Sequence, residues 1–506
     1  MATTSGDMDP KAAGYCALIE RYGLACAPNW HESSIAAGNT RRIESVDGRV
    51  RELYPSGYWP GDSLGNHLEF ALKYDGVNLE ILAGLFRGAS QDELASYIGA
   101  KPMGKYARRI WYLYEVLTGS RLPLADLKRG NYIDLLDPER YYTSAGRPVG
   151  RQRIRDNLLG DARFCPIVRR TDRLKTFEQA NLDERCRHVM AGYPEDLLKR
   201  VLQYLYTKET KSSFEIEHIT PNATRTERFV ALLRTAEDED FVNKEAMLQV
   251  QNRIVDERFR DPDFRRTQNY VGETVALHQE RVHCIFPKPE DLPAMMEGLV
   301  TVHQHMDAGG VHPVIHAAAV AFGFVFLHPF EDGNGRIHRF LIHNILARRG
   351  FTPKGIMFPV SAAMLKNPTA YNEALEEFSR PRMTLIEYSL DEKGRLTVHN
   401  DTAALYRYID MTAQAEALFQ FIQDTIDRDL ADELDFLRSY DEAKPAIQEI
   451  VDLADRLIDL FIRFCLQNRG RLSDRERASE FPQITDPEVK RMEAVIRRAY
   501  HLGGDE

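Results

Sequence analysis

The stretch from Pro313 to Phe326 limits the fold of this chain more than any other, because it is almost entirely apolar and opens on a proline. Proline is tolerated at the first turn of a helix, where its missing N–H would have no intrahelical acceptor anyway. A helix that is apolar all round must be covered on every side, so the fold needs a shell of amphipathic helices. Such patterns are present. Ala107, Ile110, Trp111, Tyr114 and Leu117 fall three or four apart, and Ile447, Ile450, Val451, Ala454, Leu457, Ile458 and Phe461 do the same near the other end, each series reading as a helix facing a core. Ser90 with Glu93 reads as a capping box, and Leu385 to Leu390 and Leu396 to His399 flank Asp391-Glu392-Lys393-Gly394 as a short hairpin. The expected class is mainly α with small β elements.

A chain of 506 residues exceeds what one core organises, so two or three packed units are expected. Asp137 to Gly160, rich in Gly, Pro, Asp and Arg, ends an N-terminal helical region over 1–160. A second change near Asn400 opens a C-terminal helical region over 396–506, which leaves 161–395 as the central unit. The formal charge of −10 argues against a chain that coats nucleic acid or an anionic membrane through its overall field. Met1 to Pro10 is polar and acidic where a signal peptide needs basic and then apolar residues, and no apolar run reaches bilayer length, so a cytoplasmic protein without membrane contact is expected. Six scattered cysteines without a Cys-x-x-Cys pair suit neither a disulfide framework nor zinc. His303, His305, His312 and His316 match no zinc spacing and read as solvated or core histidines. The arginines from Arg147 to Arg170 read as a solvated face paired with carboxylates, with nucleic-acid contact as the alternative.

The chemistry is concentrated in His328-Pro-Phe-Glu-Asp-Gly-Asn-Gly-Arg-Ile-His-Arg339, a loop between the apolar helix and a second one marked by Ile337, Phe340, Leu341 and Ile345. A glycine-bearing loop that opens a helix turns several N–H groups toward one point, where the helix dipole adds positive potential, and so makes a phosphate cradle. Gly333 and Gly335 let the backbone approach an anion closely. Arg336 and Arg339, three apart, engage further phosphate oxygens. Asp332 offers a hard oxygen ligand suited to Mg²⁺, and His328 titrates near neutral pH, so it can take a proton from an attacking hydroxyl. Base, metal ligand and cradle together suggest phosphoryl-type transfer.

These residues resemble the signature of Fic-domain proteins, His-x-Phe-x-(Asp/Glu)-Gly-Asn-Gly-Arg-x-x-Arg, and every fixed position is met. The resemblance covers Glu195 to Arg380, and the terminal regions resemble extensions seen on some bacterial members. It implies a helical catalytic core with a small β-hairpin flap, His328 as general base, Phe330 as core anchor and Asp332 as Mg²⁺ ligand. Gly333, Asn334, Gly335 and Arg336 would bind the ATP triphosphate, and Arg339 the γ-phosphate. AMP would pass from ATP to a Tyr, Thr or Ser hydroxyl of a target protein lying along the flap, near Tyr270 to Phe286. Ser213-Phe-Glu-Ile-Glu217-His218 is similar to the family's inhibitory motif, (Ser/Thr)-x-x-x-Glu-(Gly/Asn), on a helix near 205–218. His218 stands where the family prefers Gly or Asn. Glu217 would then pair with Arg339 and hold the enzyme off. Two alternatives stay open: removal of AMP by the same site, and a nucleotide-sensing regulatory protein that binds DNA through helix-turn-helix-like spacing around Arg471 to Arg498. A homo-oligomer is compatible with the sequence, and nucleic acid is not the expected partner.

Overall fold

The computed structural model describes residues 10–46, 48–276 and 279–502. The helix expected from the apolar run spans Pro313–Leu327, and every residue from Val314 to Leu327 is buried. Leu292–Ala308, Asn334–Arg348 and Thr412–Asp424 pack around it. At Gly323 a Cβ would lie 2.9 Å from Leu299 and 3.0 Å from the Phe164 ring, so glycine there lets neighbouring chain press against the helix.

The main apolar cluster runs from Tyr142 to Leu434, past residue 395, where the sequence reading ends the central unit. The reason lies in the buried helix itself. Thr412–Asp424 packs against it and lays Ala415, Leu418, Phe419 and Ile422 into the same cluster. Cys165 and Ile167 donate main-chain hydrogen bonds to Arg407 and Ile409, which ties this segment back to the start of the unit.

The N-terminal region is helical as expected, including Lys105–Thr118 with its left-handed cap at Gly119, but it also carries two small sheets. Lys11–Ala12, His31–Ile35, Arg49–Tyr54 and Arg42–Val46 form one, in that order across the sheet, with the middle pair parallel. Ile133–Asp134, Ile154–Asp156 and Arg147–Val149 form the other. These strands are two to six residues long and rich in Arg, Glu and Ser, so they lack the β-branched alternation that marks a strand, and tertiary pairing decides them. A buried carboxylate–imidazole cluster fixes the first sheet, with His31 3.0 Å from Glu52 and 3.3 Å from Asp75.

Ser90 does cap its helix, accepting from the Glu93 N–H at 3.3 Å, whereas the Glu93 carboxylate turns away to Leu64 N, so only half of the capping box forms. The series from Ile447 to Phe461 is not one helix: Ile447 lies on Ala431–Gln448, Leu457, Ile458 and Phe461 on Asp455–Gln467, and Ile450, Val451 and Ala454 in the turn between them. Both bury their share of it in one small C-terminal cluster with Asp486–Ala499, which is why the period survives the break. Tyr388–Leu390 and Leu396–Val398 pair as the expected hairpin. A second antiparallel hairpin, Tyr270–Ala276 with Gln279–Ile285, occupies the expected flap, whose residues 277–278 lie outside the described residues. Among the described residues no helix is long and apolar enough to cross a membrane.

Candidate functional site

The buried helix ends at Leu327, and His328 follows in the left-handed region with φ 49°. Phe330 plugs the core against Phe264 and Phe324, at ring distances of 5.7 and 6.2 Å. Asn334 closes the loop on itself: its Oδ1 accepts from Phe330 N at 3.0 Å and its Nδ2 donates to Phe330 O at 2.7 Å. The Asn334 side chain is therefore taken up in holding the loop, which leaves its main-chain N–H for the phosphate contact expected of this residue. Gly333, with φ 91°, caps the helix Asn334–Arg348. The first intrahelical bond runs from Ile337 N to Gly333 O, so the N–H groups of Asn334, Gly335 and Arg336 lack helical acceptors and are available to an anion, as a cradle requires.

The His328 ring stacks on Phe286, at the end of the flap, with centroids 3.8 Å apart and planes 13° from parallel. Its Nδ1 lies 3.2 Å from Val325 O, and a carbonyl can only accept, so Nδ1 carries the hydrogen and Nε2 keeps a lone pair. Burial pushes its pKa down to about 3, which keeps the ring neutral at pH 7. Asp332 accepts through Oδ1 from Gly333 N and from Arg336 Nη2 at 2.7 Å. Its Oδ2 has no partner among the described residues, and the side chain is partly exposed, so the carboxylate can still offer an oxygen to Mg²⁺.

Arg336 and Arg339 are both buried on one face of the new helix, and a carboxylate from elsewhere in the chain meets them. The helix Glu195–Glu215, longer than the 205–218 expected, ends beside the cradle. Ser213 accepts from Arg339 Nε at 2.8 Å through Oγ and from Nη2 at 2.6 Å through its carbonyl. His218 takes the left-handed position with φ 56°, and Ile219 N reaches back to Phe214 O, the pattern that ends many helices at a glycine. A histidine there costs about 1 kcal/mol. That turn aims Glu217 at the cradle. Oε1 accepts from Arg339 Nη2 at 2.7 Å, and Oε2 lies 2.8 Å from Arg336 Nε as a charge contact without hydrogen-bond alignment. A Cβ on Gly335 would come within 2.5 Å of Oε1, so the carboxylate lies directly over the cradle's backbone. The sequence anticipates the Arg339 contact and misses the one to Arg336.

Two further residues hold the site and carry no sequence signal. Gln251 Nε2 donates to Phe259 O at 3.0 Å and Asp261 Oδ2 at 3.1 Å, and lies 3.4 Å from Asp332 O. Arg265 is buried against backbone carbonyls of the loop. The histidines before the motif form a directional chain: Arg349 donates to His316 Nδ1, His316 Nε2 to His303 Nδ1, and His303 Nε2 to Asp240. His312 caps the buried helix. Of the arginines from 147 to 170, Arg147, Arg151, Arg155, Arg163, Arg169 and Arg170 pair with carboxylates, and Arg153 binds backbone carbonyls.

Residues 241–346 match the model of the Fic/DOC family, a narrower span than the resemblance covers, holding the flap, the loop and both flanking helices but not Glu217. The chain is 34% identical over 119 residues to a protein adenylyltransferase Fic of Culex quinquefasciatus, which is 22% of this chain and 21% of that protein. It is 37% identical over 91 residues to the protein of the same name from Drosophila grimshawi, 18% of this chain and 17% of that protein. The match thus spans about a fifth of the length of these relatives. A Fic domain containing signaling protein from Bacteroides thetaiotaomicron aligns in structure at 20% identity, over 51% of this chain and 95% of that one, with a TM-score of 0.36. The family model is thus matched across the loop, the flap and the helices that hold them, and residues 241–346 are similar to a Fic/DOC domain.

Proposed function

We propose that this protein transfers AMP from ATP to a Tyr, Thr or Ser hydroxyl of a target protein, and that Glu217 holds it in a resting state. The observation that carries the reading is the Glu217 carboxylate bridging Arg336 and Arg339 over the open N-terminus of a helix. Two buried guanidinium groups and three unpaired N–H groups suit a polyphosphate, and a carboxylate in their midst is the group a phosphate would displace. The names of the relatives, protein adenylyltransferases, support ATP as donor.

In the transfer, the target oxygen attacks the α-phosphorus and the bond to the bridging β-phosphate oxygen breaks, so pyrophosphate leaves. The hydroxyl proton passes to Nε2 of His328, the lone pair that the Val325 hydrogen bond leaves free. Asp332 would hold Mg²⁺, which when bound offsets phosphate charge. The flap offers main-chain groups to an extended target segment and sets the hydroxyl near His328.

Label transfer from ATP marked at the α-phosphate tests this, comparing wild type, Glu217→Gly, and Glu217→Gly with His328→Ala. Label on protein in the Glu217→Gly form alone is the expected result. No label in any form, with AMP released from a modified protein only when Glu217 is present, would replace transfer by removal.

A further inference from the structure

Arg265 is a buried arginine whose partners among the described residues are all backbone carbonyls, where a buried guanidinium ordinarily meets a carboxylate. Nε donates to His328 O at 2.7 Å. Nη1 donates to Thr267 O at 2.7 Å, and Nη2 to Pro287 O at 2.7 Å and, at 3.5 Å, to Leu327 O. Its own main-chain N–H donates to Pro329 O at 2.8 Å. Burial lowers its pKa to about 10, so it stays charged at pH 7.

The four side-chain acceptors belong to two structures. Leu327 and His328 end the buried helix, where carbonyls have no helical donor and the dipole is negative, so a cation is favoured there. Thr267 and Pro287 lie just outside the two strands of the flap, one on each side. A single rigid guanidinium therefore ties the catalytic loop to both feet of the flap. Phe286, on which the His328 ring stacks, is held by the same feet through its N–H to Asn269 O and its carbonyl from Gln268 Nε2 at 2.7 Å.

We propose that Arg265 is a positioning residue for the transfer, fixing the distance and angle between Nε2 of His328 and a hydroxyl presented along the flap. The proposal rests on the transfer reading. His328 sits in a left-handed conformation that a non-glycine residue keeps only when its surroundings hold it. The carbonyl bond to Arg265 holds that peptide and so aims the Cα–Cβ bond. Lysine has one donor centre and cannot span four carbonyls in two structures.

The test uses the full chain in a Glu217→Gly background and compares it with the same protein carrying Arg265→Lys. Transfer of labelled AMP gives kcat and the KM for ATP, and mass spectrometry gives the rate of diethyl pyrocarbonate modification at the His328 peptide. Displacing a reacting group by about 1 Å can cost about 100-fold in rate. We expect kcat to fall by about 10-fold or more, the KM for ATP to change less than about twofold, and His328 modification to quicken as the Phe286 stack loosens. Unchanged kcat and modification overturn the proposal, as does a kcat loss matched by loss of ATP binding and of melting temperature. If the Glu217→Gly parent itself transfers nothing, the transfer reading fails, and the modification rate alone decides whether Arg265 positions His328. Should Arg265→Lys fail to fold, Gln268→Ala loosens the same foot with Arg265 in place. A smaller fall in kcat with faster His328 modification supports the proposal, and no change in either overturns it.

Discussion

Nη2 of Arg339 donates to Oε1 of Glu217 across 2.7 Å, and Arg339 is almost wholly buried. Together with Arg336, it brings two guanidinium charges into the protein interior; Glu217 contacts both, and Arg336 is also paired with Asp332, so Arg339 is the charge that depends on Glu217. Removing one partner of a buried ion pair commonly costs about 3–5 kcal/mol, because the charge left behind is uncompensated. Glu217→Gly is therefore expected to lower the melting temperature in nucleotide-free buffer. An anion in the cradle should restore it, so millimolar ATP or pyrophosphate should raise the melting temperature of Glu217→Gly by more than that of wild type. Equal shifts in the two proteins, read by calorimetry, would separate Glu217 from the anion site.

The neutral state of His328 makes a statement about rate against pH. Its pKa is pushed down to about 3, below the ordinary imidazole value, so the basic form prevails throughout the physiological range. In the Glu217→Gly protein, kcat/KM for transfer, which reports the free enzyme, should show no His328-dependent acid limb between pH 5.5 and about 7.5. A limb centred near 6.5 that vanishes in no other histidine variant would place His328 in an ordinary, solvated environment.

Asn334→Ala tests the loop clasp. Two hydrogen bonds to Phe330 would be lost, leaving a buried N–H and a buried carbonyl unsatisfied, at about 1–3 kcal/mol each. Stability, nucleotide affinity and transfer should all fall together. A variant that loses nucleotide affinity at unchanged melting temperature would instead assign Asn334 to direct phosphate contact.

Acid should weaken the fold through His312. Its Nδ1 accepts from Val314 N at 3.2 Å and so must be unprotonated to cap the buried helix. Burial chiefly pushes its pKa down, to about 4; Asp183 raises it somewhat, and Arg349 and Arg170 lower it. A depressed pKa means that the unfolded chain binds the proton more readily. The contribution is thus fully present above the ordinary value of 6.5 and is lost as pH falls toward 4, on the order of 2 kcal/mol. His312→Asn keeps a capping oxygen that does not titrate, so its melting temperature should fall less steeply than that of wild type between pH 6.5 and 4.

The Mg²⁺ dependence of transfer should report on Asp332, whose Oδ2 has no partner among the described residues. Asp332→Asn in the Glu217→Gly background should raise the Mg²⁺ concentration for half-maximal transfer by about 10-fold or more, since the charge proposed to hold the cation is gone. An unchanged Mg²⁺ titration would move the ligand elsewhere.

How much of this was legible beforehand follows from the range over which each signal acts. The buried helix is legible in the residues alone, because fourteen consecutive mostly apolar residues behind a proline have no other stable placement, and so is the loop, because a glycine cap, a helix start and two arginines three apart are local relations. Glu217 was legible as a short pattern at a helix end, and the left-handed His218 supplied the turn that the pattern usually assigns to glycine.

What depends on distant chain came from the packing of the whole molecule. Thr412–Asp424 completes the shell of the buried helix from beyond the expected boundary. Short charged strands in the N-terminal region exist because partners far along the chain supply their hydrogen bonds. Arg265 follows the same rule: its partners are backbone carbonyls, which every residue has, so no side-chain pattern records it, and Gln251 joins the Asp261 side chain to main-chain carbonyls brought together only by the fold. Local chemistry is written in spacing, whereas a contact to a distant carbonyl is set by the path of the whole chain and leaves no mark in the residues that accept it.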